Sequence, residues 1–312
     1  MDHIHSEYLS SYISQGGSTV KFLVVDDQKN TSLNDLIEKE CSGLGYYVIE
    51  IDSKESRLHM QQDIFLSFAK QIDWRLLTKK YLLSKAREIS YNIDSIDPSD
   101  PNLMVSIAEA NELEPSTVAM QLRPLIAKDV FRNPEYMSLA FRTAMTQLCL
   151  TEIISSNVTH YSAQPIIDWL TGINTRMSAV KHFQIYTPIN RTTAKDFFES
   201  SLYWIKKVGG QGVFMILDNR RVTEPTNLKD GSIFYNRAMV MEHYEVLRKF
   251  IDSTEKLTSI FMLVLVNEEF VNPTLTRKSR GVNIYNALHT RILDDVRGKN
   301  QVNPNASLLM IH

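Results

Sequence analysis

Apolar and polar positions fall into blocks along the chain, with strand-like runs near both ends of the sequence and helical spacing between them. Near the start, the apolar run Phe22–Val25 predicts a short buried strand, and apolar residues then recur at helical spacing to about Ser42. Gly43 and Gly45 are expected to end this helix. The next apolar run, Tyr46–Ile51, predicts a second strand. Together these elements predict a β-α-β unit.

The middle of the chain has helical periodicity almost throughout. Helices are predicted over residues 60–72, 74–95, 102–112, 115–128, 135–157, 163–171 and 194–208. The clearest interruption is Ile96–Pro101, where two prolines among Asp and Ser residues disfavour regular structure. Residues 174–193 are expected to be irregular.

Apolar runs return in the last third of the chain. Val213–Leu217 and Ser259–Val266 are nearly continuous in apolar character, which is typical of strands buried on both faces of a parallel sheet. Helices are predicted at Tyr235–Ile251 and Ile284–Val296, and a last strand at Ser307–Ile311. Strands that alternate with helices predict an α/β fold. We expect a mostly parallel sheet covered by helices, with a helical insert between the second and third strands.

This pattern predicts three regions: the first half of an α/β domain, a helical insert, and the second half of the α/β domain. Their predicted bounds are 1–95, 96–173 and 174–312. The 312 residues, 43% of them apolar, are enough for a large core. Cys41 and Cys149 each lie in an apolar helical pattern, and we expect both to be reduced core residues of a cytosolic protein.

Composition and charge narrow the class of protein further. A net charge of −2 argues against a dedicated nucleic-acid binder, although it is compatible with a local basic patch. No run approaches the ~18 apolar residues of a membrane span. The N-terminus lacks the basic flank and apolar core of a signal peptide. The histidines have no convincing metal-ligand spacing. We therefore expect a cytoplasmic protein with no membrane association and no metal site.

The first strand, turn and helix have the frame of a phosphate-binding loop, G-x-x-x-x-G-K-[ST]. In such a loop, glycines let backbone N–H groups converge on the phosphates, a lysine reaches them, and a Ser or Thr holds magnesium. Residues 25–32 read V-D-D-Q-K-N-T-S. Both glycines and the lysine are absent from this segment, and Ser32 is the position that still matches.

The strand Val213–Leu217 is followed by two polar residues, Asp218 and Asn219. In P-loop ATPases a buried strand ends in Asp-Glu, where the Asp orients magnesium and the Glu polarises the attacking water. Asp218 matches this pattern, and Asn219 takes the place of the glutamate. Because a neutral amide is a very poor proton acceptor, hydrolysis would be impaired. Taken alone, the stretch favours the simpler interpretation of a strand that ends in a polar turn.

Basic residues cluster just before the last predicted helix. Arg277, Lys278 and Arg280 precede it, and Arg291 lies on it. Arginines at a loop-helix edge near a subunit interface fit a trans-acting arginine finger, which needs a fixed and permanently charged donor for a neighbour's γ-phosphate. A solvated run of charges is the alternative interpretation.

Four stretches, in the same order along the chain, are similar to those of one known family. The family's P-loop, next strand and helix resemble FLVVDDQKNTSLNDLI and GYYVIEIDSKESRLHMQQDIF. Its Trp-Leu-x-Gly turn and the helix before its Asp-Glu strand resemble IIDWLTG and FQIYTPINRTTAKDFFESSLYWIKKVGGQGVFMILDN. Its later helix with a sensor-like strand, and its Arg-Gly block, resemble YEVLRKFID with SIFMLVLVNEEFVNP, and RGVNIYNALHTRI. This family is the BrxD-like group of AAA+-related, ATP-binding P-loop proteins from BREX-type phage-defence loci.

The resemblance implies a P-loop NTPase-like fold of the AAA+/ASCE type, but most of the family's nucleotide contacts are missing. The family's glycines, lysine and catalytic glutamate are replaced by Val25, Gln28, Asn30, Thr31 and Asn219. The positions that match are Ser32, Asp218, Arg280 and Arg291. The first two would be vestigial residues of the cofactor site, and the two arginines would be candidates to act in trans. The chain also stops at the strand ending in His312, whereas such ATPases usually continue into a helical lid or winged-helix segment.

The resemblance therefore implies a pseudo-ATPase that keeps the fold without the chemistry, with no catalytic residue and no expected ATP or Mg²⁺. Such a subunit would be a scaffold or regulator in a bacterial anti-phage defence complex. Its partners would be other subunits of that complex, such as an active ATPase, helicase or nuclease. The assembly would be a homo- or hetero-oligomer, and DNA could be contacted through it.

Two other functions stay compatible with the sequence. A divergent ATPase could bind nucleotide through a remodelled loop, with Lys29 supplying the amine that Thr31 lacks. A DNA-binding adaptor could use the basic segment Arg277–Arg280 and the helical stretch Val105–Lys128, whose apolar residues are spaced as in a helix-turn-helix. Because phosphate contacts need more positive charge than this stretch carries, a plain helical hairpin is the preferred interpretation.

Overall fold

The computed structural model divides the chain into two compact units. It describes residues 4–25, 30–154, 162–272, 279–293 and 307–310. The first unit comprises residues 1–68 and 210–312, and the second comprises residues 69–209. The predicted domain boundaries, at 95/96 and 173/174, both lie inside the second unit.

The first unit contains a parallel β-sheet built from both ends of the sequence. In the described part of the chain its strands are β1 (Ser18–Val24), β2 (Tyr46–Asp52), β3 (Gly212–Asp218), β4 (Ile260–Val266) and β5 (Leu308–Met310). Their order is β2-β3-β4-β1-β5, and each neighbouring pair is parallel. This sheet confirms the predicted α/β fold. The separation of β1 from β3 by β4 is compatible with the P-loop NTPase-like fold of the ASCE type.

Helices form much of the remaining described chain. In chain order they are α1 (Asn30–Gly43), α2 (Gln61–Lys70), α3 (Trp74–Glu88), α4 (Leu103–Ala110), α5 (Pro115–Ile126), α6 (Leu139–Ile154), α7 (Gln164–Thr171), α8 (Ala194–Lys207), α9 (Arg237–Asp252), α10 (Glu268–Val271) and α11 (Asn286–Leu293). Seven of them, α2 to α8, fall between β2 and β3, which confirms the predicted helical insert. Among the described residues, no helix has the length and apolar character needed to cross a membrane.

Packing on both faces of the sheet explains the uninterrupted apolar strands. β3 and β4 are buried along their whole length. On one face, Phe214 stacks on Phe261 with ring centroids 4.9 Å apart, in a cluster that also includes Cys41 of α1. On the other face, Phe22 of β1 stacks on Phe270 of α10 at 5.9 Å. Since successive side chains of a strand point to opposite faces, every position of these strands reaches a core.

β1 begins at Ser18, earlier than the predicted start at Phe22. Lys21 interrupts the apolar run, yet it is 5% exposed, and its ammonium lies 5.0 Å from the centroid of the Tyr8 ring. Tyr8 belongs to a π-helical segment, Ile4–Ile13, for which the sequence predicted no element. A cation over an aromatic face is stabilised. This contact explains how a lysine is accommodated in a buried strand.

The second unit is helical and has an aromatic core. Tyr81 of α3 packs on Trp204 of α8 with ring centroids 4.8 Å apart. The Tyr81 hydroxyl also donates to Asp129 Oδ2 at 2.8 Å. Lys207 Nζ reaches Asp129 Oδ1 at 2.8 Å, and Lys85 Nζ reaches Oδ2 at 3.0 Å. Asp129 thus ties α3 and α8 to the segment that follows α5.

Both cysteines are buried free thiols, as predicted. Burial, together with the neighbouring Glu40 carboxylate, raises the pKa of the Cys41 thiol to about 12. Burial also raises the pKa of Cys149. Because the thiolate is the reactive form of cysteine, both side chains act as inert core residues near neutral pH.

Candidate functional site

The carboxyl ends of β1, β3 and β4 meet at one edge of the sheet, where open α/β folds bind their ligands. The chain leaves β1 at Val25, whose N–H donates to the Val266 carbonyl at 2.9 Å. It leaves β3 at Asn219, whose N–H donates to the Leu265 carbonyl at 2.9 Å. These two bonds hold the ends of β1 and β3 on either side of the end of β4.

Asp218, the last residue of β3, has its carboxylate engaged by Arg220. Oδ1 accepts hydrogen bonds from the Arg220 backbone N–H at 3.1 Å and from Nε at 3.0 Å. Oδ2 accepts from Nε at 3.3 Å and from Nη2 at 2.6 Å. The side chains are 6% and 13% exposed, so this is a buried two-pronged ion pair. Asp218 was predicted from the sequence and Arg220 was not, although a cation two residues after a buried aspartate is a visible signal.

Asn219, which replaces the expected catalytic glutamate, is completely buried. Within the described part of the chain, neither its Oδ1 nor its Nδ2 has a hydrogen-bond partner. A buried polar group without partners costs about 1–3 kcal/mol, so this position is not optimised for stability alone. The structure brings Asn219 and Asp218 together at the strand end, as their adjacency in the sequence requires.

Asn267 is another polar residue at this edge, and it was not predicted from the sequence. It follows β4, as Asn219 follows β3, and its Nδ2 donates to the Arg220 carbonyl at 3.4 Å. Its Oδ1 accepts a hydrogen bond from Thr223 Oγ1 at 2.9 Å. These contacts fasten the turn Arg220–Thr223 to the end of β4. A polar residue directly after a fully apolar strand is the signal that could have identified it.

Two further carboxylates, Glu50 and Asp52, lie near the end of β2. Asp52 is the direct register partner of Asp218. Burial is the main cause that raises the pKa of Glu50, and the Asp218 carboxylate raises it further. A hydrogen bond from Asn34 Nδ2 to Glu50 Oε1, at 2.6 Å, opposes this rise in part. Burial raises the pKa of Asp52 as well, and the Asp218 carboxylate adds to this rise against an opposing backbone hydrogen bond. The strand ends therefore carry negative charge that Arg220 offsets in part.

The segment aligned with the phosphate loop lies partly outside the described residues. Val25 is 7% exposed and packs in the apolar cluster with α1, so the first glycine position carries a core side chain. Residues 26–29, which include Gln28 and Lys29, lie outside the described part of the chain. Ser32 is in the first turn of α1, and its side chain lies outside that part as well. The side chains of the neighbouring Asn30 and Thr31 are likewise not described.

Arg280, a candidate trans-acting arginine, is bound to its own chain. Its Nη1 donates to the carbonyls of Glu224 at 2.6 Å and Tyr235 at 2.5 Å. Its guanidinium carbon lies 5.0 Å from the centroid of the Phe234 ring. The Arg280 carbonyl accepts a hydrogen bond from the Tyr244 hydroxyl. Arg280 therefore holds together the two ends of the loop formed by residues 224–235.

Arg291, the other candidate, lies on α11 and pairs with Asp252 at the end of α9. Nε donates to Asp252 Oδ1 at 2.5 Å and Nη2 to Oδ2 at 3.0 Å, while Nη1 donates to the Ala287 carbonyl at 2.5 Å. The remaining basic residues of the cluster, Arg277 and Lys278, lie outside the described residues. Both described arginines thus have contacts within their own chain.

The helical stretch considered as a DNA-binding surface forms α4 and α5. Helical spacing predicts four core positions here. Ala108, Val118 and Leu122 are buried as predicted, whereas Leu113 is only half-buried. The basic side chains of Arg123 and Lys128 are exposed, and so are three glutamates, Glu109, Glu112 and Glu114. The exposed carboxylates outnumber these basic groups, so the hairpin does not form a positively charged face.

The sheet order and the polar strand ends are those of an α/β protein compatible with the P-loop NTPase-like fold. A family model described as BREX system ATP-binding protein BrxC/D matches residues 139–312. The chain belongs to this family, and it is therefore a protein of a BREX anti-phage defence system. The matched region contains three of the four stretches on which the resemblance rested, and the segment aligned with the phosphate loop lies outside it. No curated protein and no solved structure matches the chain.

Proposed function

We propose that this chain is a pseudo-ATPase subunit that acts as a scaffold or regulator in a BREX anti-phage defence complex. Asn219 carries the proposal, because a fully buried amide stands where an ATPase would place the glutamate that polarises water. An amide does not accept a proton near neutral pH, so the position offers no general base. Hydrolysis is therefore not expected even when a nucleotide is present.

Missing phosphate contacts support the same proposal. Affinity for a triphosphate depends on backbone N–H groups that converge on the phosphates and on a lysine that reaches them. Asn30 and Thr31 stand at the second glycine and lysine positions, and Val25 places an apolar side chain in the core at the first glycine position. We expect little affinity for ATP.

ATP and Mg²⁺ are the ligands that the family implies. Mg²⁺ is bound through one or two carboxylates together with phosphate oxygens, in nearly octahedral geometry. At Asp218 both carboxylate oxygens already accept hydrogen bonds from Arg220. The residues at this strand end do not fit a magnesium ion at Asp218, and the proposed function requires none.

Without hydrolysis, the subunit would act through contacts with other subunits of the defence system. An active ATPase, a helicase or a nuclease would be suitable partners in a homo- or hetero-oligomer, and DNA would be reached through that assembly. To contact a neighbour's nucleotide, Arg280 or Arg291 would have to give up contacts within its own chain. We therefore favour a role in holding the geometry of the assembly over a role in trans.

Calorimetry with ATP and Mg²⁺ at millimolar concentration tests the proposal directly. The purified chain should release no measurable heat of binding and no phosphate above a blank without protein. A micromolar dissociation constant together with turnover would contradict it. If turnover is found, Lys29→Ala decides whether the divergent ATPase is correct, because that enzyme depends on the Lys29 amine.

Phage restriction by the complete defence system provides a test in cells. Ser32→Ala and Lys29→Ala should leave restriction unchanged, since neither side chain is expected to serve a nucleotide. Ile37→Asp places a charge in the core of the sheet and should abolish both the fold and restriction, which shows that the assay depends on this chain. Loss of restriction by Ser32→Ala at an unchanged protein level would favour an active ATPase.

A further inference from the structure

The ion pair between Asp218 and Arg220 uses every acceptor position of the aspartate. Each carboxylate oxygen offers two lone pairs. Oδ1 accepts from the Arg220 N–H and Nε, and Oδ2 accepts from Nε and Nη2, at 2.6–3.3 Å. A metal ion could bind Asp218 only by displacing the guanidinium.

The neighbouring strand end explains why a cation is needed at this position. Asp52 is the register partner of Asp218, and the Asp218 charge acts on both Glu50 and Asp52. Carboxylates close to one another repel, and a nearby cation relieves that repulsion. In P-loop ATPases the cation at the strand end is Mg²⁺ held with the nucleotide. In this chain a guanidinium is present within the same turn.

We propose that Arg220 is a built-in counter-ion that occupies the place of the divalent cation at Asp218. The inference rests on the proposed function for its comparison with an ATPase site, and it deepens that function. The end of β3 would keep its charge balanced whether or not a nucleotide or a metal is present. The strand end would therefore hold one conformation throughout the working cycle of any partner ATPase.

The backbone of Arg220 is fixed in a way that supports this role. Its carbonyl accepts a hydrogen bond from Thr223 Oγ1 at 3.0 Å and another from Asn267 Nδ2 at 3.4 Å. Because the turn is fastened to the end of β4, the side chain can fold back over two residues onto Asp218. The planar fork of arginine matches the two carboxylate oxygens, whereas a lysine would supply a point charge to one side.

Magnesium binding to the full chain in the absence of nucleotide tests the inference. The wild type, Arg220→Gln and the double variant Asp218→Asn/Arg220→Gln are each melted in EDTA and in millimolar MgCl₂. The wild-type Tm should be the same in both to within about 1 °C. The Tm of Arg220→Gln should fall by on the order of 5 °C in EDTA, because a buried carboxylate loses its partner. Mg²⁺ should restore at least half of that loss, and the double variant should not respond to Mg²⁺.

The electron paramagnetic resonance signal of Mn²⁺ provides a second, independent measurement of metal binding at Asp218. If Arg220→Gln does not fold, Arg220→Ala replaces it, since it also removes the cation from Asp218 and should show the same response to the metal ion. Mg²⁺ stabilisation of the wild type without nucleotide would overturn the inference, as would the absence of any metal response in the folded single variants. ATP turnover by the wild type would instead contradict the proposed function, so the two failures are distinguishable.

Discussion

Arg291 and Asp252 form a two-pronged ion pair that joins α11 to α9. Nε and Nη2 of Arg291 donate to the two carboxylate oxygens at 2.5 and 3.0 Å. Arg248 contributes a second cation to the same carboxylate, with Nη1 2.5 Å from Oδ2. The donors of Arg291 that a neighbour's phosphate would need are therefore used within the chain.

Replacing Arg291 should have a small effect on stability. Its side chain is 35% exposed and that of Asp252 is 34% exposed, so solvent screens the pair. Arg291→Ala should lower the free energy of unfolding by less than about 1 kcal/mol, measured by urea denaturation. Lys249→Ala removes an exposed cation of α9 that lies 3.6 Å from a Glu245 carboxylate oxygen, and it is the matched control. If Arg291 acts in trans, the variant would reduce the ATPase rate of a reconstituted partner while the chain itself stays stable.

Arg280 should contribute more to the stability of the fold than Arg291 does. Its guanidinium donates to two backbone carbonyls that lie at the two ends of one loop. Arg280→Lys keeps the charge but cannot span the carbonyls of Glu224 and Tyr235 with the same fixed fork. The expected loss is about 1.5–3 kcal/mol of unfolding free energy, the range for hydrogen bonds to charged groups.

Hydrogen exchange of the loop measures the effect of this substitution locally. Amides in residues 224–235 should exchange faster in Arg280→Lys than in the wild type, while amides of β3 and β4 should be unchanged. Arg123→Lys, on the exposed face of α5, is the control for an arginine without such contacts. Unchanged exchange in the loop would show that Arg280 does not hold it.

The sheet was predictable from the sequence because its central strands are buried on both faces. β3 and β4 contain almost no polar residue before their carboxyl ends, and each is bounded by Gly or polar residues. Prediction failed where burial depends on a tertiary contact. Lys21 interrupts β1 in the sequence, yet Tyr8 shields it in the structure. The predicted helix 74–95 ends at Glu88, where Ser90 adopts a left-handed φ of 66° without a glycine or proline to signal it.

Of the candidate site, the sequence predicted only the two residues that are adjacent in the chain, Asp218 and Asn219. Asp218 and Asn219 are adjacent in the sequence, so their common position at the end of β3 follows from the strand. The contact of Asn267 with the turn after β3 depends on β4 lying next to β3, and strand order is not visible in the local pattern. The role of Arg220 depends on a side chain that folds back on its own turn. A periodicity pattern carries no information about that rotamer.

Gly212 should tolerate no side chain. Its φ is +149°, and a Cβ atom there would lie 2.4 Å from the Ser259 carbonyl oxygen. Gly212→Ala forces β3 and the start of β4 apart, and we expect a loss of roughly 2–4 kcal/mol in the free energy of unfolding. Gly43→Ala is the matched control, since among the described residues no atom beyond its own helical turn lies within 4 Å of a Cβ there, and it should change stability by less than about 1 kcal/mol. Equal effects of the two substitutions in urea denaturation would contradict the proposed close approach.

The last prediction concerns the acid dependence of the second unit. Burial alone would raise the pKa of Asp129, but hydrogen bonds from Lys207, Lys85 and Tyr81 outweigh it and hold the pKa below its ordinary value of 3.8. As the pH falls, the unfolded chain therefore takes up this proton before the folded chain does. The stabilisation from Asp129 is fully present above the unfolded-state pKa and is lost as the pH falls through the folded-state pKa.

Asp129→Asn should remove this contribution, because the partly buried ammonium groups of Lys85 and Lys207 lose the Asp129 carboxylate. At pH 7 we expect a loss of about 1–3 kcal/mol, since the carboxylate is partly exposed and its hydrogen bonds are charge-assisted. The difference between the variant and the wild type should shrink as the pH is lowered below 4, because Asp129 is then protonated in the unfolded wild-type chain before it is protonated in the folded chain. Glu88→Gln removes an exposed partner of Lys85 and should have little effect at either pH. A difference between Asp129→Asn and the wild type that stays constant from pH 7 to pH 3 would mean that the Asp129 charge does not stabilise this unit.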